Sequence, residues 1–249
     1  MAPAGAAEGA LRRLHVPRAR LAGGRARLTE AEWHYLRHVL RLPAGATVEI
    51  FDGEGGVHQA LLPAAGEELE LAPRRAAPAP GAVIWLAFAP PRGDRADLVV
   101  QKAVELGAAR LLPFEAARSV VRLDAGRGAA RAGRWRRIAA DAARQCGRAD
   151  VPVVDEPVPL ARVLPAVPPG FRTVLFYEGG GEPLAAVLDP AAPGHLAVVG
   201  PEGGFEAAEV AACVAAGARP ATLGPRLLRA ETAALAAVAL LQHRLGDLG

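Results

Sequence analysis

Two glycine-bearing turns near the C-terminus hold the residue types best suited to chemistry. Residues 198–205 read Val-Val-Gly-Pro-Glu-Gly-Gly-Phe, and residues 223–235 read Leu-Gly-Pro-Arg-Leu-Leu-Arg-Ala-Glu-Thr-Ala-Ala-Leu. Each leaves an apolar strand and runs into a helix. A turn without a Cβ lets the backbone come close to a ligand. Two such turns side by side line a cleft with N–H groups at strand ends, where open α/β sheets bind their ligands. Glu178, Glu202 and Glu231 flank this region, although Glu231 opens a helix, where a carboxylate is favoured by the dipole in any case. Arg118, Arg122, Arg148, Arg226 and Arg229 fall at loops or element ends. Guanidinium groups grip phosphates bidentately and stabilise developing oxyanions. For Arg127, Arg131, Arg134 and Arg137 the ordinary reading, a solvated surface group, suffices.

The turns need a sheet to hold them. From residue 82 onward, apolar runs alternate with helical patterns. Strands are expected at 83–89, 110–114, 151–154, 172–177, 195–199 and 221–223, and helices at 92–106, 129–145, 206–216 and 231–245. Such alternation implies an α/β fold with a mainly parallel, doubly wound sheet. The dinucleotide-binding fingerprint is missing: the first strand is followed by Ala-Pro-Pro-Arg-Gly-Asp. Residues 11–71 differ in texture, with short alternating strands at 47–51, 57–62 and 68–71 and a Gly-rich turn at 52–56. A helix is expected at 29–40, capped by Thr29, with Trp33, Leu36 and Leu40 on one face. The pattern suggests a small β-barrel-like domain. Residues 72–81 read as a Pro-rich linker and residues 1–10 as a disordered arm.

The chain has 249 residues, enough for one large or two modest domains. With 51% hydrophobic but only 4% aromatic residues, Ala, Val and Leu must fill the core. The net charge of +3 excludes a tail that binds nucleic acid by charge alone. Any RNA contact must come from local arginine placement. Lys102 is the only lysine; with Glu105 three residues on, it reads first as a surface ion pair. Cys146 and Cys213 form no CxxC or Cys/His pattern, so no metal is expected and a reducing, cytoplasmic setting is implied. No segment resembles a signal peptide or a membrane span, and hence no membrane partner is expected.

The two turns, together with Gln101–Gly107 (Gln-Lys-Ala-Val-Glu-Leu-Gly), Gln145–Arg148 (Gln-Cys-Gly-Arg), Phe51–Gly53 and the closing Gly246–Gly249, resemble one family in order and spacing. It is the family that methylates N3 of a uridine in bacterial 16S ribosomal RNA (RsmE), within the SPOUT methyltransferases. The resemblance runs from about residue 14 to the end. It implies a PUA-like RNA-binding domain over 11–71, followed by a SPOUT domain over 82–249 with a C-terminal trefoil knot.

By this resemblance S-adenosylmethionine is held by Leu175, Tyr177, Glu178, Gly200, Glu202, Gly203, Gly204, Leu223, Gly224, Arg226, Leu228, Thr232 and Ala233. Arg229 and Arg118 stabilise charge on the uracil, and Glu231 is the candidate proton acceptor. Arg12, Arg13, Arg37, His38, Arg41, Lys102, Arg122 and Arg148 face RNA. The partners implied by the resemblance are 16S rRNA within the small ribosomal subunit and a second copy of the chain; the final helix, apolar on nearly every face, is expected to be buried on all sides, which core packing alone can also provide. A SPOUT enzyme for another RNA, or a non-catalytic RNA-binding assembly protein, remain the alternatives.

Overall fold

A computed structural model describes residues 12–78, 81–120 and 125–249. The expected arm at 1–10 and Arg122 lie outside the described residues. The chain divides into two compact units: one runs to Ala79 and takes in Arg144–Val151, the other comprises Pro80–Ala143 and Pro152–Gly249.

In the first unit, β1 (Arg13–His15), β4 (Thr47–Phe51), β5 (Gly56–Leu61) and β7 (Arg75–Ala76) form one sheet in the order β1-β4-β5-β7. A second sheet orders β2 (Leu21–Ala22), β3 (Arg25–Arg27) and β6 (Glu68–Glu70) as β2-β3-β6. Alternation within β4 places Val48 and Ile50 in a core with Leu36, Leu62 and Leu69. Among its described residues, the Pro-rich 72–81 segment contributes β7, at the sheet edge, where proline is tolerated. Helix α1 (Glu30–His34) starts with a capping box: Thr29 Oγ1 accepts from Glu32 N and Glu32 returns a bond to Thr29 N. The helix then widens into a π-turn, Tyr35–Val39, closed by Leu40 N to Tyr35 O at 2.9 Å.

The second unit is a parallel sheet. Its strands are β8 (Ile84–Phe88), β9 (Arg110–Glu115), β10 (Val153–Val154), β12 (Arg172–Phe176), β13 (Glu182–Pro183), β14 (His195–Val199) and β15 (Arg219–Thr222). Their order is β10-β9-β8-β14-β12-β15-β13, and β11 (Val158–Pro159) also pairs with β9. The helices are α2 (Arg95–Glu105), α3 (Ala125–Cys146), α4 (Leu184–Val187), α5 (Ala207–Ala215) and α6 (Ala230–Leu245). Strand β14 is buried at every residue, and after His195 it reads as an apolar run, Leu196–Val199. On one face Leu175, Leu196 and Val198 pack with Phe114 and Phe205.

Helix α6 packs against β8, β14 and α2 through Ala230, Ala234, Ala237, Val238 and Leu241. Those residues form one stripe, while Thr232 and Leu240 are exposed. Within a single chain the helix therefore covers one face and is not buried on all sides, because sheet and α2 lie on that side alone.

Candidate functional site

Three turns leave the C-terminal ends of neighbouring strands β12, β14 and β15 and enclose a cleft of about 260 Å³. From β12 come Phe176, Tyr177 and Glu178; from β14 come Val199, Gly200, Pro201, Glu202 and Gly204. From β15 come Thr222, Leu223, Gly224 and the run Arg226–Ala230, with Ala233 behind them on α6. Parallel pairing of the three strands in register brings these ends level.

The glycines set the cleft's shape. Gly204 has φ +71°, and its N–H closes a turn to Pro201 O at 2.9 Å. A Cβ at 204 would collide with Glu178 Oε1, and one at 200 would lie 2.8 Å from the Phe205 ring. Opposite, Gly224 has φ +103° and is held by Thr222, whose Oγ1 accepts from Gly224 N at 3.1 Å. These are positions that a side chain would fill or strain.

Most residues assigned to the cofactor thus come together, but not all line the cleft. Leu175 is fully buried and faces the core, since alternate residues of β12 point to opposite faces. Gly203 sits on the outer side of its turn, where an added Cβ would meet Arg118 Cβ at 3.1 Å. Thr232 is exposed on α6.

Arg229 is the N-cap residue of α6 and lines the cleft with an exposed side chain. Arg118 stands outside it, with Nη1 3.4 Å from Gly203 O and Nε 3.8 Å from Glu206. Glu231 turns towards α2: its Oε1 lies 3.8 Å from Arg95 Nη1, and its buried Oε2 has no hydrogen-bond partner among the described residues. Arg95 also reaches Glu202 at 3.6 Å. This guanidinium joins the turn after β14 to the start of α6, a link that sequence reading missed. Only the adjacency of β8 and β14 in the sheet brings it there.

The residues assigned to RNA fall into different settings. Arg12, His38 and Arg41 are exposed; His38 stacks on His34 with centroids 4.8 Å apart. Arg41 takes φ +52°, which non-glycine residues seldom adopt. Arg37 is partly occupied, lying over Trp33 and donating to Leu42 O at 3.0 Å. Arg148 is engaged by Asp150 and mostly buried. Lys102 pairs with Glu105 at 2.8 Å, as the plain surface ion pair would. Arg13 departs most from an exposed RNA contact: it is buried, with Nε 2.6 Å from Glu49 Oε1. Of the cysteines, Cys146 is exposed and Cys213 buried, and burial pushes the Cys213 thiol up.

Among the described residues, no group of three His, Cys, Asp or Glu side chains is placed to hold a metal ion. No helix there is long and apolar enough to cross a membrane.

A family model described as an RNA methyltransferase domain matches residues 78–242, and an RNA methyltransferase PUA domain matches residues 28–69. Ribosomal RNA small subunit methyltransferase E of Mycobacterium tuberculosis (strain CDC 1551 / Oshkosh) is 33% identical over 216 residues, 83% of this chain and 82% of that protein.

The chain belongs to the ribosomal RNA small subunit methyltransferase E family.

Its Bacillus subtilis (strain 168) relative in that family is 44% identical over 71 residues, so the match spans only 28% of either chain. A solved ribosomal RNA small subunit methyltransferase E from Neisseria gonorrhoeae, bound to S-adenosyl methionine, is 32% identical. It covers 96% of this chain and 100% of that one, with a TM-score of 0.86. The family fold is therefore present over nearly the whole length: a parallel-sheet α/β methyltransferase unit preceded by a PUA-like one.

Proposed function

We propose that the chain transfers a methyl group from S-adenosylmethionine to N3 of a uridine in 16S rRNA of the small ribosomal subunit. The observation that carries this reading is the cleft formed by three glycine-bearing turns at the ends of β12, β14 and β15, in a chain of this family. The residues present suit the cofactor. The missing Cβ atoms at Gly200 and Gly204 let the Phe205 ring and the Glu178 carboxylate pack against the turn, and the turns offer N–H and C=O groups to an adenine edge. The Glu178 carboxylate faces the cleft as an acceptor for hydroxyls. Bound there, S-adenosylmethionine supplies an activated methyl on a sulfonium.

The chain's residues then have three tasks. Leu223, Gly224 and Leu228 hold the ligand from one side and Glu178, Gly200 and Gly204 from the other, which fixes alignment. Arg229, exposed at the cleft, offers positive charge to the uracil oxygens as N3 loses its proton. Arg118, beyond Gly203, is placed better for steadying that turn or meeting RNA than for touching the base. Glu231, committed to Arg95, is better read as an anchor for α6 than as the proton acceptor. Since N3 lies on the pairing edge, the base must be unpaired or flipped out.

A trefoil knot at 223–233, a homodimer formed through the half-covered faces of α6, and cytoplasmic location belong to the same proposal. So do the domain limits 11–71 and 82–249 with a linker at 72–81. Exposed Leu227, at 84%, is consistent with a surface that is covered in the working assembly. The test is calorimetric titration with S-adenosylmethionine followed by transfer of a labelled methyl to small subunits, naked 16S rRNA and tRNA. Label in small-subunit RNA supports the proposal; label only in tRNA would move the enzyme to another RNA.

A further inference from the structure

One cation outside the cofactor cleft bridges both of its walls. Arg95 opens α2, where the helix dipole disfavours positive charge, and the N-cap residue Asp94 makes no side-chain cap. Nothing in the local helix calls for a guanidinium there. What it meets lies on other elements. Its Nη1 stands 3.6 Å from Glu202 Oε1 and 3.8 Å from Glu231 Oε1. Glu202 belongs to the turn after β14, on one wall of the cleft. Glu231 belongs to the first turn of α6, on the other, two residues after Arg229. We propose that Arg95 is a positioning residue for methyl transfer, which sets the spacing of the two walls and so the aim of Arg229. The proposal rests on the reading of the chain as a methyltransferase that works in this cleft.

Each carboxylate is tied to the wall that carries it. Glu202 sits in the turn that Gly204 N closes on Pro201 O at 2.9 Å, and its Oε1 also accepts from Arg92 N at 3.4 Å. The loop after β8 therefore buttresses this turn from outside. The Glu231 side chain is only 12% exposed, and its buried Oε2 has no hydrogen-bond partner among the described residues. Among those residues Arg95 is the one cation in ion-pair range of Glu231. A carboxylate so placed holds to its cation, because a buried charge left alone keeps its full desolvation penalty. Arg229 is the N-cap of the same helix, and its carbonyl accepts from Ala233 N at 2.8 Å. The backbone of Arg229 thus moves with the turn that Glu231 anchors.

One nitrogen between two walls acts as a strut rather than as a binding group. Arg95 does not line the cleft, so its effect on cofactor affinity is indirect. What it governs is alignment, and a misplacement of about 1 Å can cost about 10²-fold in rate. It also governs charge. Without Arg95, Glu202 and Glu231 stand as two uncompensated negative charges at the cleft. They would oppose the negative charge that N3 develops and that Arg229 is placed to meet. Sequence adjacency brings none of these groups together; the pairing of β8 with β14 and the packing of α2 on α6 do.

The test compares the full chain with Arg95→Met and Arg95→Lys. Methionine keeps an apolar stem and removes the charge, whereas lysine returns a cation to the same place. Calorimetry gives the Kd of S-adenosylmethionine. Steady-state transfer to the RNA that the parent methylates gives kcat and KM, at a temperature below the melt of every variant. Arg95→Met should lose about 10²-fold in kcat, with Kd and KM near those of the parent, and Arg95→Lys should recover most of that loss. A folded Arg95→Met with the parent's kcat would overturn the proposal. So would a rise in Kd or KM with kcat intact, or a lysine variant no better than methionine. In each of those cases the parent's activity leaves the function standing. If the parent binds S-adenosylmethionine and methylates no RNA, the function itself falls, and this proposal with it.

Discussion

Replacing Gly204 by alanine is the smallest change that should close the cofactor cleft. Two effects can be separated. The first is conformational: at φ +71° an L-residue occupies the left-handed region, which costs about 1–2 kcal/mol. That is a fraction of the roughly 5–15 kcal/mol that stabilises a folded chain, so the variant should fold. The second is steric: the new methyl displaces the Glu178 carboxylate, the flexible end of its side chain. A hydrogen bond to a charged acceptor contributes about 1.5–3 kcal/mol, and the exposure of Glu178 argues for the lower end. Losing about 1–2 kcal/mol of binding weakens affinity roughly 5- to 30-fold. Calorimetry with S-adenosylmethionine reads this directly, and urea unfolding reads the stability cost separately. An unchanged Kd in a folded variant would refute the reasoning, because Glu178 and the 200–204 turn would then not form the cofactor wall.

Arg229→Ala should lose roughly 10²–10³ in kcat, as removal of an oxyanion donor does, with S-adenosylmethionine affinity near that of the parent by calorimetry; a matching loss of affinity would make Arg229 a pocket residue instead. Arg95→Ala should destabilise the chain by about 1–2 kcal/mol, discounted for the 44% exposure of the arginine, because it leaves the mostly buried Glu231 carboxylate without its cation. A thermal melt should show a drop of roughly 2–8 °C, partly restored in Arg95→Lys. Asp52 supplies a pH dependence. Burial pushes its carboxyl up, but N–H donors from Glu54 and Gly56 and the Arg74 guanidinium outweigh that and hold it below the ordinary 3.8. Its contribution is therefore present above that value and lost as pH falls through the depressed one. Asp52→Asn should flatten the acid side of the urea-stability profile; an identical profile would deny Asp52 that role.

The fold was legible where one local signal dominated. Four consecutive apolar residues after His195 made β14 readable to the residue, and Thr29 announced the start of α1. The short pairs Val158–Pro159 and Glu182–Pro183 were not legible, because two residues with a proline carry no periodicity and pair only through a neighbouring strand. Nor did spacing reveal that Arg144–Val151 packs with the first unit, since that depends on backbone bonds to a loop some ninety residues earlier.

At the site, the glycine turns were visible because missing side chains are a property of the sequence itself. The orientations of Leu175, Arg118 and Glu231 were not, because strand alternation and the position of Arg95 decide them. Arg13 read as one of several RNA-facing arginines; only the pairing of β1 with β4 places it against Glu49.

The central claim is most directly tested by the chemical identity of the product. Small ribosomal subunits lacking the modification would be incubated with the protein and labelled S-adenosylmethionine, digested to nucleosides, and separated by chromatography with mass spectrometry. Label is expected in 3-methyluridine, in one nucleotide of 16S rRNA. Label in 5-methyluridine, in a 2′-O-methyl nucleoside, or in no nucleoside despite bound cofactor would contradict it.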